Sequence, residues 1–277
     1  MVRLLQIEFI KLWNNRVSKI LIISYFVLLT SIALVAAIKF DIGPIKFHLA
    51  EQGIFNFPYI WHFNTFITAF FKLFLAIVIV SMMANEYSNK TIKQNLIDGL
   101  SKKEFILSKF LTVVSFSLIS TVFVFVVSMI LGLIYSDYNE LTIIFSDLEF
   151  LLAFFVKLIG FFSFCLFLGI LVKRSAFALG FLILWQVFEG FVRGMIRWKL
   201  FDGDTTDLVM GFFPLNAMWK LIDEPFSRLG AVQSVADQIG EKFEMDYGVH
   251  WYEILIVVGW TFIFIYLSYA LLKKRDL

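Results

Sequence analysis

Residues 85–109, NEYSNKTIKQNLIDGLSKKEFILSK, decide the reading of this chain, because they are strongly polar and sit between two long apolar runs. Five lysines (Lys90, Lys93, Lys102, Lys103 and Lys109) stand against Glu86, Asp98 and Glu104. Apolar runs of bilayer-crossing length on either side make the stretch a polar hairpin between two membrane spans. Its middle, 91–100, is expected to form a short helix that Gly99 and Ser101 interrupt. A short, structured, basic hairpin at a membrane face is suited to docking. The plainer reading is a loop whose lysines only set topology.

Composition places the rest of the chain in lipid. Of 277 residues, 60% are hydrophobic and only 17% charged, against about 25% charged in an ordinary soluble domain. The 35 Phe and 7 Trp exceed what a soluble core needs. The net charge of +2 says little, whereas the placement of the charges says much. Cys165 is the only cysteine, so no intrachain disulfide can form. The opening MVRLLQIEFIKLW lacks the pattern of a cleaved signal peptide, and the N-terminus is expected to be retained.

The expected architecture is an all-α polytopic membrane protein with six transmembrane helices, a single transmembrane domain over 1–277. Residues 2–17 read as an amphipathic interfacial helix: Val2, Leu5, Phe9, Leu12, Trp13 and Val17 share one face, with Arg3, Glu8, Lys11, Asn14 and Asn15 opposite. Trp13 is the expected interfacial anchor, and 14–16 the expected turn. Spans are expected at 20–38, 63–84, 110–135, 150–172, 175–192 and 252–272. The connection 39–61, with Gly43, Pro44, Gly53 and Pro58 as breakers, is expected to hug the bilayer surface. Gly180, Gly190 and Gly194 suggest a break or re-entrant piece near the far end of the fifth span. Residues 197–250 form the extracytoplasmic loop, with short surface helices expected at 216–222 and 229–239.

Six spans put both termini on one side. The segments on that side carry 14 of the 24 Lys and Arg, the opposite side eight over roughly twice the length, and Lys72 and Lys157 lie within spans. The positive-inside rule then makes both termini cytoplasmic. At about 1.5 Å rise per residue, Lys72, Lys157 and Glu189 all fall roughly 18–22 Å from the cytoplasmic ends of their helices. That is one depth, in the outer half of a core about 30 Å thick. Charges there are costly, so the three suggest a polar layer that pairs within the bundle or lines a hydrated cleft. Snorkelling lysines and a glutamate in a surface turn are the plainer alternative.

Several chemistries find no support. There is no P-loop pattern, no H-E-x-x-H and no G-x-S-x-G. His48, His62 and His250 lack metal-motif spacing. The lysines are juxtamembrane, which suits anionic membrane lipid or an acidic protein surface and not nucleic acid.

Across 86–109 the chain resembles the integral-membrane subunits of ABC-2 type transporters. The pattern of that hairpin is matched by Glu86, Thr91, the helix 92–98, Gly99, Lys102 or Lys103, and Lys109. Lys90 stands where relatives often have Gly, Gly99 or Leu100 where they have Pro, and lysine where Arg is common. The layout of an interfacial N-terminal helix, six spans, a tight turn between the fourth and fifth, and a large outer loop is similar to the same family over essentially the whole chain.

The resemblance implies an ABC-2 (type V exporter-like) permease fold in a bacterial cytoplasmic membrane, acting as a homo- or heterodimer. It also implies a separate ABC ATP-binding subunit that holds ATP and Mg, so that this chain binds no cofactor, carries no catalytic residue and is not itself an enzyme. Residues 91–99 become the coupling helix, with Ile92, Leu96 and Ile97 as docking contacts and the lysines as a rim. Residues 2–17 become a connecting helix beside it, to whose basic groups Glu86 can pair. Two other classes stay open: an ion-coupled secondary transporter or channel, and a membrane scaffold without transport.

Overall fold

The run 150–172 is apolar at every helical angle, and a helix of that kind is stable only when it is surrounded. The computed structural model, which describes residues 2–36, 39–42, 45–48, 53–199, 203–229, 232–233 and 246–275, puts that run at the centre of a helical bundle. In chain order the elements begin with α1 (Val2–Asn14), α2 (Arg16–Ala36), β1 (Lys39–Ile42), β2 (Ile45–His48), α3 (Tyr59–Ala69) and α4 (Lys72–Ser88). There follow α5 (Thr91–Ile97), α6 (Lys102–Tyr135), α7 (Leu141–Ile144), α8 (Glu149–Val172), α9 (Ser175–Lys199), α10 (Gly203–Met210), α11 (Pro214–Lys220) and α12 (Trp251–Lys274).

Residues 160–166 of α8 are buried consecutively, with α3, α4, α6, α9 and α12 packed around the helix. The most extensive packing is that of α12. A Cβ at Gly160 would sit 2.7 Å from Val257 Cγ1, so only glycine lets the two helices meet there.

Among the described residues four helices are long and apolar enough to cross a membrane: α6, the α7–α8 stretch, α9 and α12. The pair α3 and α4 makes a fifth if it is one span, bent by 46°. The first expected span, 20–38, is helical to Ala36 but is not among these four or five, and its last two residues lie outside the described ones.

Three expectations are corrected. The second span is not one helix over 63–84. Its turns change around Phe70 and Phe71, where Phe70, Phe71 and Phe74 donate to carbonyls three residues back (3.2, 3.1 and 3.1 Å) instead of four. Thr65 and Thr68 add to the bend, since their hydroxyls bond the Trp61 and Asn64 carbonyls at 2.6 Å each. The fifth span has no break at its glycines: α9 runs unbroken to Lys199, and added Cβ atoms at Gly180, Gly190 and Gly194 would meet nothing within 4 Å. Finally, the connection after α2 holds an antiparallel ribbon, β1 with β2, in register Lys39 with His48. In the connection between α9 and α12, α11 falls close to the expected 216–222 helix, while most of 229–239 lies outside the described residues.

Candidate functional site

Two local capping choices build the end of the bundle that holds the 85–109 hairpin. Asn15, the single residue between α1 and α2, accepts from the amides of Val17 (3.0 Å) and Ser18 (3.1 Å) through Oδ1. It thereby caps the first span and fixes where α1 turns away. At the other strand of the hairpin, Ser101 and Glu104 form a reciprocal capping box: Ser101 Oγ accepts from Glu104 N at 3.1 Å, and Glu104 Oε2 from Ser101 N at 3.0 Å. Helix α6 therefore starts at Lys102, two turns before the expected 110. The S-x-x-E signal was present in 101–104.

Between these caps lies a closed ionic cluster. Lys109 on α6 is fully buried, and its Nζ is 2.5 Å from Glu8 Oε2 on α1 and 2.6 Å from Glu86 Oε1 on α4. Lys11 reaches the same Glu86 oxygen at 2.9 Å and Glu8 at 3.3 Å. Thr91, the first residue of α5, donates its hydroxyl to the other oxygen of Glu86. Two cations and two anions balance, and each buried carboxylate has a charged donor. A buried lysine is tolerable on those terms. Burial alone would lower the Lys11 ammonium, but Glu8 and Glu86 outweigh it and hold it above the usual lysine range.

The cluster joins α1, α4, α5 and α6. Of the expected docking residues, it contains Glu86, Thr91 and Lys109. It also adds Glu8, which had been assigned only to the polar face of an interfacial helix, and Lys11, one of the basic groups of that helix with which Glu86 was expected to pair. That face reading is corrected in part: Glu8 from the polar face and Leu12 from the apolar one are both buried, while the apolar Val2, Trp13 and Val17 are exposed. The exposed Trp13 ring, with Lys19 Nζ 4.8 Å from its centroid, fits an interfacial anchor.

Helix α5 is held at its start and free along one face. Lys90 takes a left-handed conformation (φ +56°), and Gly99 does the same beyond the helix end (φ +97°). Ile92 is 2% exposed and packs into the chain's own core, with Leu96 partly buried against it. Ile97 is 74% exposed. Of the expected trio only Ile97 is exposed, flanked by exposed Lys93, Gln94 and Asp98; Ile92 is taken up by the core and so is not free for docking. Lys102 points elsewhere, donating to the carbonyls of Lys273 (3.3 Å) and Arg275 (3.0 Å) at the end of α12. A groove of about 440 Å³ opens beside the cluster, walled by Asn14 and Asn15 on one side and Asn85 and Asn89 on the other.

The three intramembrane charges make no direct ion pair with one another among the described residues. Glu189 is buried and accepts from the amides of Leu215 (3.1 Å) and Asn216 (2.8 Å) and from Trp185 Nε1 (2.8 Å). It caps the N-terminus of α11 from another helix. Lys157, also buried, donates to the Trp219 carbonyl (3.2 Å) near the other end of α11. Lys72 makes no ion pair among the described residues; its Nζ is 4.5 Å from the Phe161 ring centroid, and it is close enough to Lys157 for the two ammoniums to repel.

A full-length bundle with one polar cluster binding its N-terminal helix to the 85–109 hairpin agrees with a sequence pattern described as ABC-2 family transporter protein, which matches residues 5–277. The chain belongs to the ABC-2 transporter family. It is an ABC-2 type permease, and no curated protein matches it. In this permease the ionic cluster sits where the resemblance put the coupling and connecting helices. Among the described residues, no group of three or more His, Cys, Asp or Glu is placed to hold a metal ion.

Proposed function

We propose that this chain is the permease subunit of an ATP-driven ABC exporter. It forms the substrate pathway as a dimer, with six spans and both termini in the cytoplasm. A separate ATP-binding subunit docks against α5 on each protomer. The observation that carries this reading is the cluster of Glu8, Lys11, Glu86, Thr91 and Lys109, because it fixes a short, outward-facing helix rigidly to three others.

A push on α5 passes through Thr91 and Glu86 into α4, and through Lys109 into α6. Helix α6 begins at Lys102, so the push enters a continuous 34-residue lever and not a flexible loop. The exposed Ile97, rimmed by Lys90 and Lys93, supplies an apolar knob with basic flanks for a partner groove. The 46° bend at Phe70 and Phe71 gives the second span a joint at which inner and outer halves can move differently.

The test is to purify tagged full-length chain from its native membranes and measure magnesium-dependent ATP hydrolysis in the eluate. Wild type is expected to carry a P-loop ATPase with it, and Ile97→Asp to lose it. Equal ATPase retention by Ile97→Asp would overturn the docking reading.

A further inference from the structure

Helices α6 and α12 run side by side, and the Lys102 ammonium ties the start of one to the end of the other. Just inside that junction lies an open groove of about 410 Å³. Its walls are Ile106, Leu107, Phe262 and Ile265, with Tyr266 and Tyr269 towards the end that holds the chain terminus. Lys103 stands at its mouth. This surface belongs to two helices long and apolar enough to cross a membrane, so acyl chains and not water are the surroundings of its apolar walls.

The two ends of the groove differ chemically. By helix rise, Phe262 lies about 17 Å from Lys273 along α12, which places the closed end deep in the hydrocarbon. At the open end Lys103, Lys273 and Lys274 are exposed, and none of the three has an ion-pair partner among the described residues. The neighbouring Lys102 and Arg275 are different, because their donors are used. Arg275 bonds the Leu171 carbonyl (3.0 Å), the Ile170 carbonyl (2.5 Å) and the Tyr87 hydroxyl (3.1 Å), tying α12 to α8 and α4. Nearby Glu104 is held by its own Ser101 capping box and makes no ion pair with any of the three lysines among the described residues. Tyrosines at headgroup depth complete an amphipathic cleft.

We propose that the α6–α12 groove is a binding site for one anionic phospholipid, from the leaflet on the side of the chain terminus. An acyl chain lies along Ile106, Leu107, Phe262 and Ile265, and Lys103 with the last turn of α12 holds the phosphate. Naming that leaflet the cytoplasmic one rests on the proposed topology; the site does not. A lipid there would brace the start of the α6 lever against α12, a place for membrane composition to influence transport.

The experiment uses the purified full-length chain without any ATP-binding partner, so its outcome is independent of the docking test. Detergent-solubilised protein is equilibrated with equal amounts of phosphatidylglycerol and phosphatidylcholine, and retained lipid is counted by mass spectrometry. Wild type is expected to retain phosphatidylglycerol preferentially. Lys103→Ala, a surface change, should lower that retention about fivefold. Ile265→Trp, which fills the groove, should abolish it. Equal retention of both lipids, or unchanged retention in both variants, would overturn the site. Displacement of the lipid by excess inorganic phosphate would make it a free-anion site, and altered subunit stoichiometry with unchanged lipid in Ile265→Trp would make it a protein contact. Either result also defeats the proposal.

Discussion

Lys157 and Glu189 hold opposite ends of one seven-residue helix: the ammonium is 3.2 Å from the Trp219 carbonyl, and the carboxylate receives the Leu215 and Asn216 amides. Both signs match the helix dipole, negative charge at the N-terminus and positive at the C-terminus. A helix this short would not persist alone. Two charges that the sequence suggested for a polar layer are, in the structure, the supports of a short helix.

The two supports are unequal, and mutation should show it. Glu189 has three donors, so Glu189→Ala leaves buried amides and an indole unpaired, and each orphan costs about 1–3 kcal/mol. Lys157 has one carbonyl against the full desolvation of an ammonium, and replacing such a group by an apolar residue is often neutral or stabilising. Thermal unfolding in detergent should show a clear loss for Glu189→Ala and none for Lys157→Met. A larger loss for Lys157→Met would contradict this assignment of roles.

The ionic cluster around Lys109 should behave as a unit. Lys109→Met leaves Glu8 and Glu86 buried with Lys11 as their remaining ammonium, at a cost of about 3–5 kcal/mol. Glu8→Gln alone removes one anion and leaves an excess of positive charge. Combined, the two changes restore the balance, so the double variant should be more stable than the sum of the singles predicts. Strict additivity in unfolding midpoints would show that the groups are not coupled.

Lys90 explains a departure visible in the sequence. It stands where related hairpins often carry glycine, and its φ of +56° is a conformation that a side chain resists. Lys90→Gly should therefore stabilise the isolated permease by about 0.5–1 kcal/mol. The measurement is a denaturation midpoint. A fall in stability would mean that the lysine side chain contributes more than its backbone strain costs.

The membrane class and most helix positions were legible because apolar length and charge placement are properties of single segments. The hairpin helix at Thr91–Ile97 was legible from Gly99 and Ser101 as terminators. What was not legible depends on which helices meet. Glu8 looked like a solvated residue of a polar face, and only the packing of α1 against α6 turns it inward onto Lys109. Depth along separate helices suggested that Lys72, Lys157 and Glu189 share a layer, but depth says nothing of azimuth, and α11 folds back to take two of them. The bend after Ala69 has no Pro or Gly to announce it, since it rests on threonine back-bonding and shortened turns. The α6 start could have been found from Ser101 and Glu104.

The last prediction separates fold from docking within one short helix. Ile92 and Ile97 are five residues apart on α5, yet one is buried in the permease and the other is open. Ile92→Ala should destabilise the isolated chain by about 2–4 kcal/mol, the cost of emptying a core position. Ile97→Asp should leave its unfolding midpoint within about 0.5 kcal/mol of wild type, as expected of a surface change. In membranes that contain the ATP-binding partner, only Ile97→Asp should separate ATPase from permease while the permease stays folded. If both variants lose stability and ATPase together, Ile97 belongs to the core and the outward face of α5 is not the docking surface.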